Sequence, residues 1–471
     1  MRFAACPSAL ARSRRLTCCF WACYLVYTRF CRPTSRNRGG KTDMTVKRVV
    51  LIVVLVAAAA FLAAGLLRDE APTSRRSGTG LRVVVLAVDG LDWFLLARYA
   101  EEGRLPAIAR LMSSGVTGEL RPEIPALPEV SWPAMAAGTP GVSTDVPGRA
   151  ERRYGVVPRV AELVSASGGK ALSVGWPASW PAAERDWPLV AGFAPRADEH
   201  VNELAPAVMP DGAGHASGAA FEDMVRAIAS DAEEHAGEGF RRIINLDEAD
   251  TQGWEDHLAA ARWSHLADVT MLDIGARLLA TEEPDLALVH IGGLDAVSHR
   301  FLAPAAPDFF SELPDEALRF GEVLPGYYEF IDRAVTRFIR LTDEETVFIL
   351  CSAYGFRPSL ETPRISGAHS DGPPGVFIVR GPRISPLPEP VTVSARDLAP
   401  TVLAILGVEI PDDIEGRVAI EVLPAGLRTE HPPVFGPAPP PDVGTVEEPD
   451  ELAAARSAAA ERLKSLREEL Q

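Results

Sequence analysis

Outside its first 43 residues this chain has almost no cysteine. Five of the six, Cys6, Cys18, Cys19, Cys23 and Cys31, precede residue 44, and the body keeps Cys351 alone. A disulfide framework is therefore excluded as what holds the body together, whatever its redox compartment. Positive charge is also scarce in the body. The formal net charge is −17, the first 43 residues carry +8, and the rest stands near −25. Such a body repels polyanions, which excludes nucleic acid as an expected partner. No internal repeat is present. What is there is an ordinary globular composition, 471 residues with 47% apolar and 24% charged, enough for one large α/β domain with flanking segments.

Met44 is the expected start of translation, residues 1–43 being a mis-assigned extension, because the residues after it read as an export signal. Lys47 and Arg48 precede an uncharged apolar run, 49–67, long enough to cross a bilayer as a helix. The positive-inside rule then places the body outside the cytoplasm, in the periplasm or beyond the cell. A cleaved signal peptide ending at Ala63-Ala64-Gly65 is the alternative to an anchor over 44–68. Residues 69–80, rich in Ser, Arg, Thr and Gly, read as a tether. The body spans 81–425, and 426–471 combines a Pro-rich linker with a helix carrying Leu463, Leu466 and Leu470 on one stripe, open to a protein partner.

Within the body, 82–88 is a nearly all-apolar β-branched run ending in Asp89-Gly90, the pattern of a central parallel strand with a carboxylate at its tip. Helical spacing follows over 91–102 and 107–114, the Pro-rich stretch 119–130 reads as a loop, and 131–138 as a short helix capped by Ser131. Residues 286–291 form another buried strand, broken by Gly292-Gly293. Beyond it Asp295 and His299 stand four apart, on one face of a helical turn, as two metal ligands would. Residues 328–340 are an amphipathic helix and 346–351 a further strand, in which Cys351 is a packed thiol. Trp176, Trp180 and Trp187 read as core or pocket wall.

These landmarks together resemble the type I phosphodiesterase/nucleotide pyrophosphatase branch of the alkaline phosphatase superfamily. The resemblance rests on Val88-Asp89-Gly90, Gly103-Arg104-Leu105-Pro106, the Pro-rich loop before Trp132, Gly138-Thr139-Pro140 and Gly175-Trp176-Pro177. It continues through Asp295 and His299, Gly367-Ala368-His369, Gly381-Pro382, Asp397-Leu398-Ala399-Pro400-Thr401 and Gly416-Arg417, covering roughly 82–423. It implies a three-layer α/β sandwich with a mostly parallel central sheet and two divalent metals, usually zinc, at the strand ends. These clamp a phosphate and activate a Ser or Thr nucleophile.

On that resemblance Asp295, His299 and His369 match the ligands of the first metal, and Asp89 matches one ligand of the second. The second site is otherwise degenerate. The family reads Ser-Asp-His-Gly-Phe where this chain reads Ser352-Ala353-Tyr354-Gly355-Phe356, and the nucleophile position falls on Pro128, which has no hydroxyl. Ser143-Thr144-Asp145 stand where the family has His-Gly. Ala353 cannot ligate, a protonated Tyr354 is a poor zinc ligand, and Pro128 cannot attack phosphorus. Ser131, one helical turn on, offers either a displaced hydroxyl or the helix cap; Asp371 offers either a ligand or a solvated loop carboxylate. The resulting expectation is an inactive relative that holds one divalent cation, most simply zinc, and binds a phosphate- or sulfate-containing ligand or a protein partner. The alternative is a one-metal hydrolase of phosphate or sulfate esters, in which the ion lowers the pKa of a bound water toward 7.

Overall fold

A computed structural model describes residues 78–437, apart from 141–157, 178, 180–181, 193–215, 245–250, 311–314, 363–364, 370 and 372. The expected N-terminal extension, anchor and C-terminal helix lie outside the described residues, as do most of the tether and Ser143-Thr144-Asp145. Among the described residues no helix is long and apolar enough to cross a membrane.

The sheet is built on β1, Arg82–Val88, whose six residues after Arg82 are all buried. Its valines suit a pleated strand covered on both faces. β1 is flanked in parallel by β5 (Leu286–Ile291) and β6 (Thr346–Cys351), with Val88 opposite Ile291 and Ala87 opposite Cys351. Further strands are β2 (Val116–Arg121), β3 (Ala171–Trp176), β4 (Leu189–Ala191), β9 (Gly375–Arg380) and β10 (Val391–Ser394). With these the sheet reads β10-β2-β9-β6-β1-β5-β3-β4. Only β9 runs against its neighbours. A separate hairpin, β7 (Arg357–Thr362) and β8 (Ile365–Ala368), leaves the end of β6.

Alternation along β1 and β5 sends side chains to two cores. Val84, Leu86, Val88, Val289 and Ile291 meet α1 (Trp93–Glu101), α2 (Pro106–Ser114), α6 (Glu255–Glu282), α7 (Gly293–Ala305) and α8 (Val323–Leu341), and α5 (Ala219–Ile244) joins the same core through Phe240 and Ile243. On the other face Val83, Val85, Ala87, Leu286 and Leu288 meet α3 (Pro128–Ala137), α4 (Arg159–Ala166) and α9 (Leu398–Leu406). The result is three layers, helices on both sides of a mostly parallel sheet. α8 shows the rule locally: Tyr327, Tyr328, Ile331, Val335 and Phe338 are buried while Arg333, Arg337 and Arg340 face outward.

Two local readings need correcting. The stretch 119–130 is not all loop: β2 runs through Arg121 because Val116, Gly118 and Leu120 bury one side. α3 begins at Pro128, where a missing N–H costs nothing in the first turn. Ser131 therefore lies inside the helix and caps nothing; the cap position is Leu127, which makes no side-chain bond. At the other end, the chain past residue 425 continues with the body. Leu427 is buried, and Phe435–Gly436 pairs in parallel with Ile410–Pro411.

Candidate metal centre

The tips of β1, β5 and β6 face the start of α7. Asp268 of α6 accepts the N–H groups of Gly292 and Gly293 at 3.1 and 2.9 Å, and the Tyr327 hydroxyl donates to its other oxygen at 2.8 Å. That carboxylate satisfies donors which a helix start leaves open. Burial pushes Asp268 up to about 7, against the pull of its three hydrogen bonds. A side chain at Gly293 would collide with both the Tyr327 hydroxyl and the Asp268 carboxylate. Glycine is equally required at Gly90, where φ is +72° and a Cβ would strike the backbone of Asp295. These two glycines let the tip of β1 and the first turn of α7 approach closely.

Asp295 sits in that first turn and His299 one turn on, both buried. His369, at the end of β8, completes the group: one ligand atom from each of the three lies within 4.8 Å of the others. His299 Nε2 is 3.5 Å from Asp295 Oδ2, and His369 Nε2 is 3.5 Å from Asp295 Oδ1. Each imidazole is held from behind, His299 Nδ1 on the Gly367 carbonyl at 2.8 Å and His369 Nδ1 on the Ala126 carbonyl at 2.7 Å. This fixes the tautomer, with Nδ1 donating and Nε2 turned to the carboxylate. His299 Nε2 and Asp295 Oδ1 close no hydrogen bond. Burial lowers the pKa of His299 and so favours the neutral, ligating form, despite the opposing charge of Asp295. Orphaned buried donor atoms, carbonyl-anchored rings and a two-histidine, one-carboxylate set all fit a divalent cation.

The other half of the centre is built differently. Asp89, at the tip of β1, is buried, and its pKa stands well above the ordinary carboxylate value, first through burial and then through the charge of Asp295. The Tyr354 hydroxyl, the Trp132 indole and the Gly90 N–H oppose that rise. Tyr354 is fully buried and lies flat on His369, ring centres 4.3 Å apart at 14°. Ala353 beside it is also fully buried. Ser352 serves the turn, accepting from the Leu91 N–H and donating to the Tyr354 carbonyl. Pro128 is half-buried at the start of α3, and Ser131 is fully buried with no partner for its hydroxyl. Asp371 stays away from the group, paired at the surface with Arg357 at 2.6 Å.

One residue here was not anticipated from sequence. His290 of β5 sits 3.9 Å from Asp89, edge-on to Trp132 with ring centres 4.5 Å apart, and burial pushes it down to about 3. A histidine inside an otherwise apolar strand was the available signal. Trp176 closes this corner as the expected wall, its indole donating to the Trp132 carbonyl at 3.2 Å.

Residues 83–367, more than half the chain, match the family model described as Type I phosphodiesterase / nucleotide pyrophosphatase. No curated protein is significantly similar in sequence. Similar solved structures include human ectonucleotide pyrophosphatase / phosphodiesterase 5, at 12% identity over 69% of this chain and 95% of that one, with a TM-score of 0.39. Another is a phosphonate monoester hydrolase from Silicibacter pomeroyi, at 15% identity over 76% and 77% of the two chains, TM-score 0.40. A mutant of the alkaline phosphatase PafA matches at 12% identity over 72% and 98%, TM-score 0.46.

Proposed function

We propose that this chain, which belongs to the type I phosphodiesterase/nucleotide pyrophosphatase family, keeps the family's grip on a phosphate- or sulfate-bearing ligand and has lost transfer to a protein hydroxyl. The family is metal-dependent, and Asp295, His299 and His369 would hold the ion. A divalent cation there supplies charge that draws in and polarises an anionic ester oxygen. The observation that carries the reading is the other half of the centre. Tyr354 packs against His369 where the family has a ligand, and α3 opens on a proline where it has a nucleophile. Ser131 does not replace it, because its hydroxyl is sealed inside the helix layer.

A second reading, a one-metal hydrolase that uses water, draws support from the three-ligand set, which leaves a coordination position open. The body is further proposed to stand outside the cytoplasm, tethered through residues 49–67, with the C-terminal stripe of Leu463, Leu466 and Leu470 available to a protein partner. Elemental analysis of the full-length chain in detergent, beside hydrolysis of a chromogenic phosphodiester and a chromogenic sulfate ester, tests the proposal. One ion per chain and no turnover supports ligand binding. Turnover that His299→Ala abolishes would establish the hydrolase, and two ions per chain with turnover would overturn both.

A further inference from the structure

The metal centre occupies the C-terminal ends of the strands. Near the other end of the sheet, α6 and α8 border an open surface cavity of about 590 Å³ whose lining includes Arg277, Arg333, Arg337, Arg340, Asp273 and Thr336. Arg333, Arg337 and Arg340 follow one exposed stripe of α8, and Arg277 faces them from α6. Asp273 pairs with Arg337. Among the described residues no ion pair engages Arg277, Arg333 or Arg340. Asp332, next to Arg333 in sequence, is turned away and accepts the N–H groups of Ala107 and Ile108 at 2.9 and 2.8 Å.

Four guanidinium groups around one carboxylate reverse the sign of a body whose net charge is near −25. Like charges three and four apart on a helix repel, a cost that a bound anion removes. The scaffold is firm, because the opposite face of α8 is buried in the core through Ile331, Val335 and Phe338. Guanidinium is also the side-chain group best shaped to grip phosphate oxygens in pairs.

We infer that this cavity is a binding site for a phosphate-bearing anion, separate from the metal centre. Two sources share that chemistry, a free phosphate and the headgroup of an anionic phospholipid. The cavity's position bears on the second. α8 ends at Leu341, and two residues later Asp343 pairs with Arg82, the first residue of β1, at 3.3 Å. The cavity thus lies at the end of the sheet where the chain enters from the proposed tether.

The test measures how fast phenylglyoxal modifies each arginine of the full-length chain, read by mass spectrometry at constant ionic strength. One arm keeps the protein in nonionic detergent with and without inorganic phosphate. The other reconstitutes it in vesicles of phosphatidylcholine alone or mixed with phosphatidylglycerol. Several-fold protection of Arg277, Arg333, Arg337 and Arg340 by inorganic phosphate, with Arg98 and Arg226 unaffected, would establish a free-anion site. The same protection by phosphatidylglycerol alone would establish a headgroup site. In either case the double variant Arg333→Gln, Arg340→Gln should lose the protection of Arg277 and Arg337 while keeping its bound metal. Unchanged rates in both arms would overturn the inference.

Discussion

The two halves of the metal centre share the same strand tips and differ in what stands behind their side chains. Asp295, His299 and His369 are each placed by backbone: a helix start held by Asp268, and two imidazoles anchored on the carbonyls of Gly367 and Ala126. Asp295 Oδ1 and His299 Nε2 are left without hydrogen-bond partners. Asp89 has instead been enclosed by aromatic groups, with Trp132, Tyr354 and His290 around it. Orphaned polar atoms with rigid support describe a place prepared for an ion, since buried polar groups left unpaired are costly. Asp89 Oδ1 and His290 Nε2 close no hydrogen bond either, so what separates the halves is the backbone anchoring of the ligand rings in one and the aromatic enclosure of a lone carboxylate in the other. A change in one half therefore leaves the other in place, because the supports come from different segments.

The largest test of that contrast is to rebuild the second half. Pro128→Thr, Ala353→Asp and Tyr354→His together should raise the bound metal from one ion to two and bring phosphodiester turnover from none to measurable. A second ion without turnover would locate the remaining defect in the nucleophile's placement. Next in size, His299→Ala should remove the single ion, seen by elemental analysis, together with any rise in unfolding temperature that added zinc gives the wild type. Gly293→Ala should cost about 1–3 kcal/mol by overpacking the helix start, read as a lower urea midpoint, and should weaken metal binding because Asp295 moves with that turn.

A smaller effect separates the halves by pH. Asp268 has a folded pKa of about 7 against an ordinary 3.8, so the folded state keeps a proton that the unfolded chain releases. Its contribution to stability is full below about pH 4 and is lost as pH rises toward about 7. His290 runs the other way: with its pKa pushed down to about 3 from 6.5, stability is gained as pH rises through that interval. Urea midpoints measured from acid to neutral pH should therefore stay nearly level in the wild type, where the two effects oppose, and rise in Asp268→Asn, which leaves the gain due to His290. The smallest change expected is Ser131→Ala, which deletes an unpartnered buried hydroxyl. It should leave metal content unaltered and stability the same or slightly higher, whereas loss of ligand binding would reinstate Ser131 as a functional group.

Much of this was legible in the chain itself because burial on both faces writes an unbroken apolar run. β1, β5 and β6 have that form, and the carboxylates and histidines beyond their tips stood out against it. β2 escaped because Gly118 interrupts it and Glu119 and Arg121 face outward, so only every second residue is apolar. The start of α3 escaped because a cluster of prolines reads as loop, although one proline in it occupies the favoured first helical position. His290 and the stacking of Tyr354 on His369 depend on which strand lies beside which, and spacing within one segment cannot encode that. Asp268 was hidden for the same reason: its partners, Gly292 and Gly293 at the start of α7 and Tyr327 in α8, lie on two elements other than its own.

The two histidine anchors also tie distant parts of the polypeptide into one buckle. His299 reaches across 68 positions to Gly367, and His369 across 243 to Ala126. An ion held by both rings would act as a removable cross-link among the Pro-rich segment before α3, the start of α7 and the β7–β8 hairpin. Loops of that length are entropically expensive to close, and the cost grows only slowly with further length. Withdrawing the ion should thus be felt far from the rings, as faster amide exchange around Ala126 and along the hairpin together, while β1 and β5 stay protected.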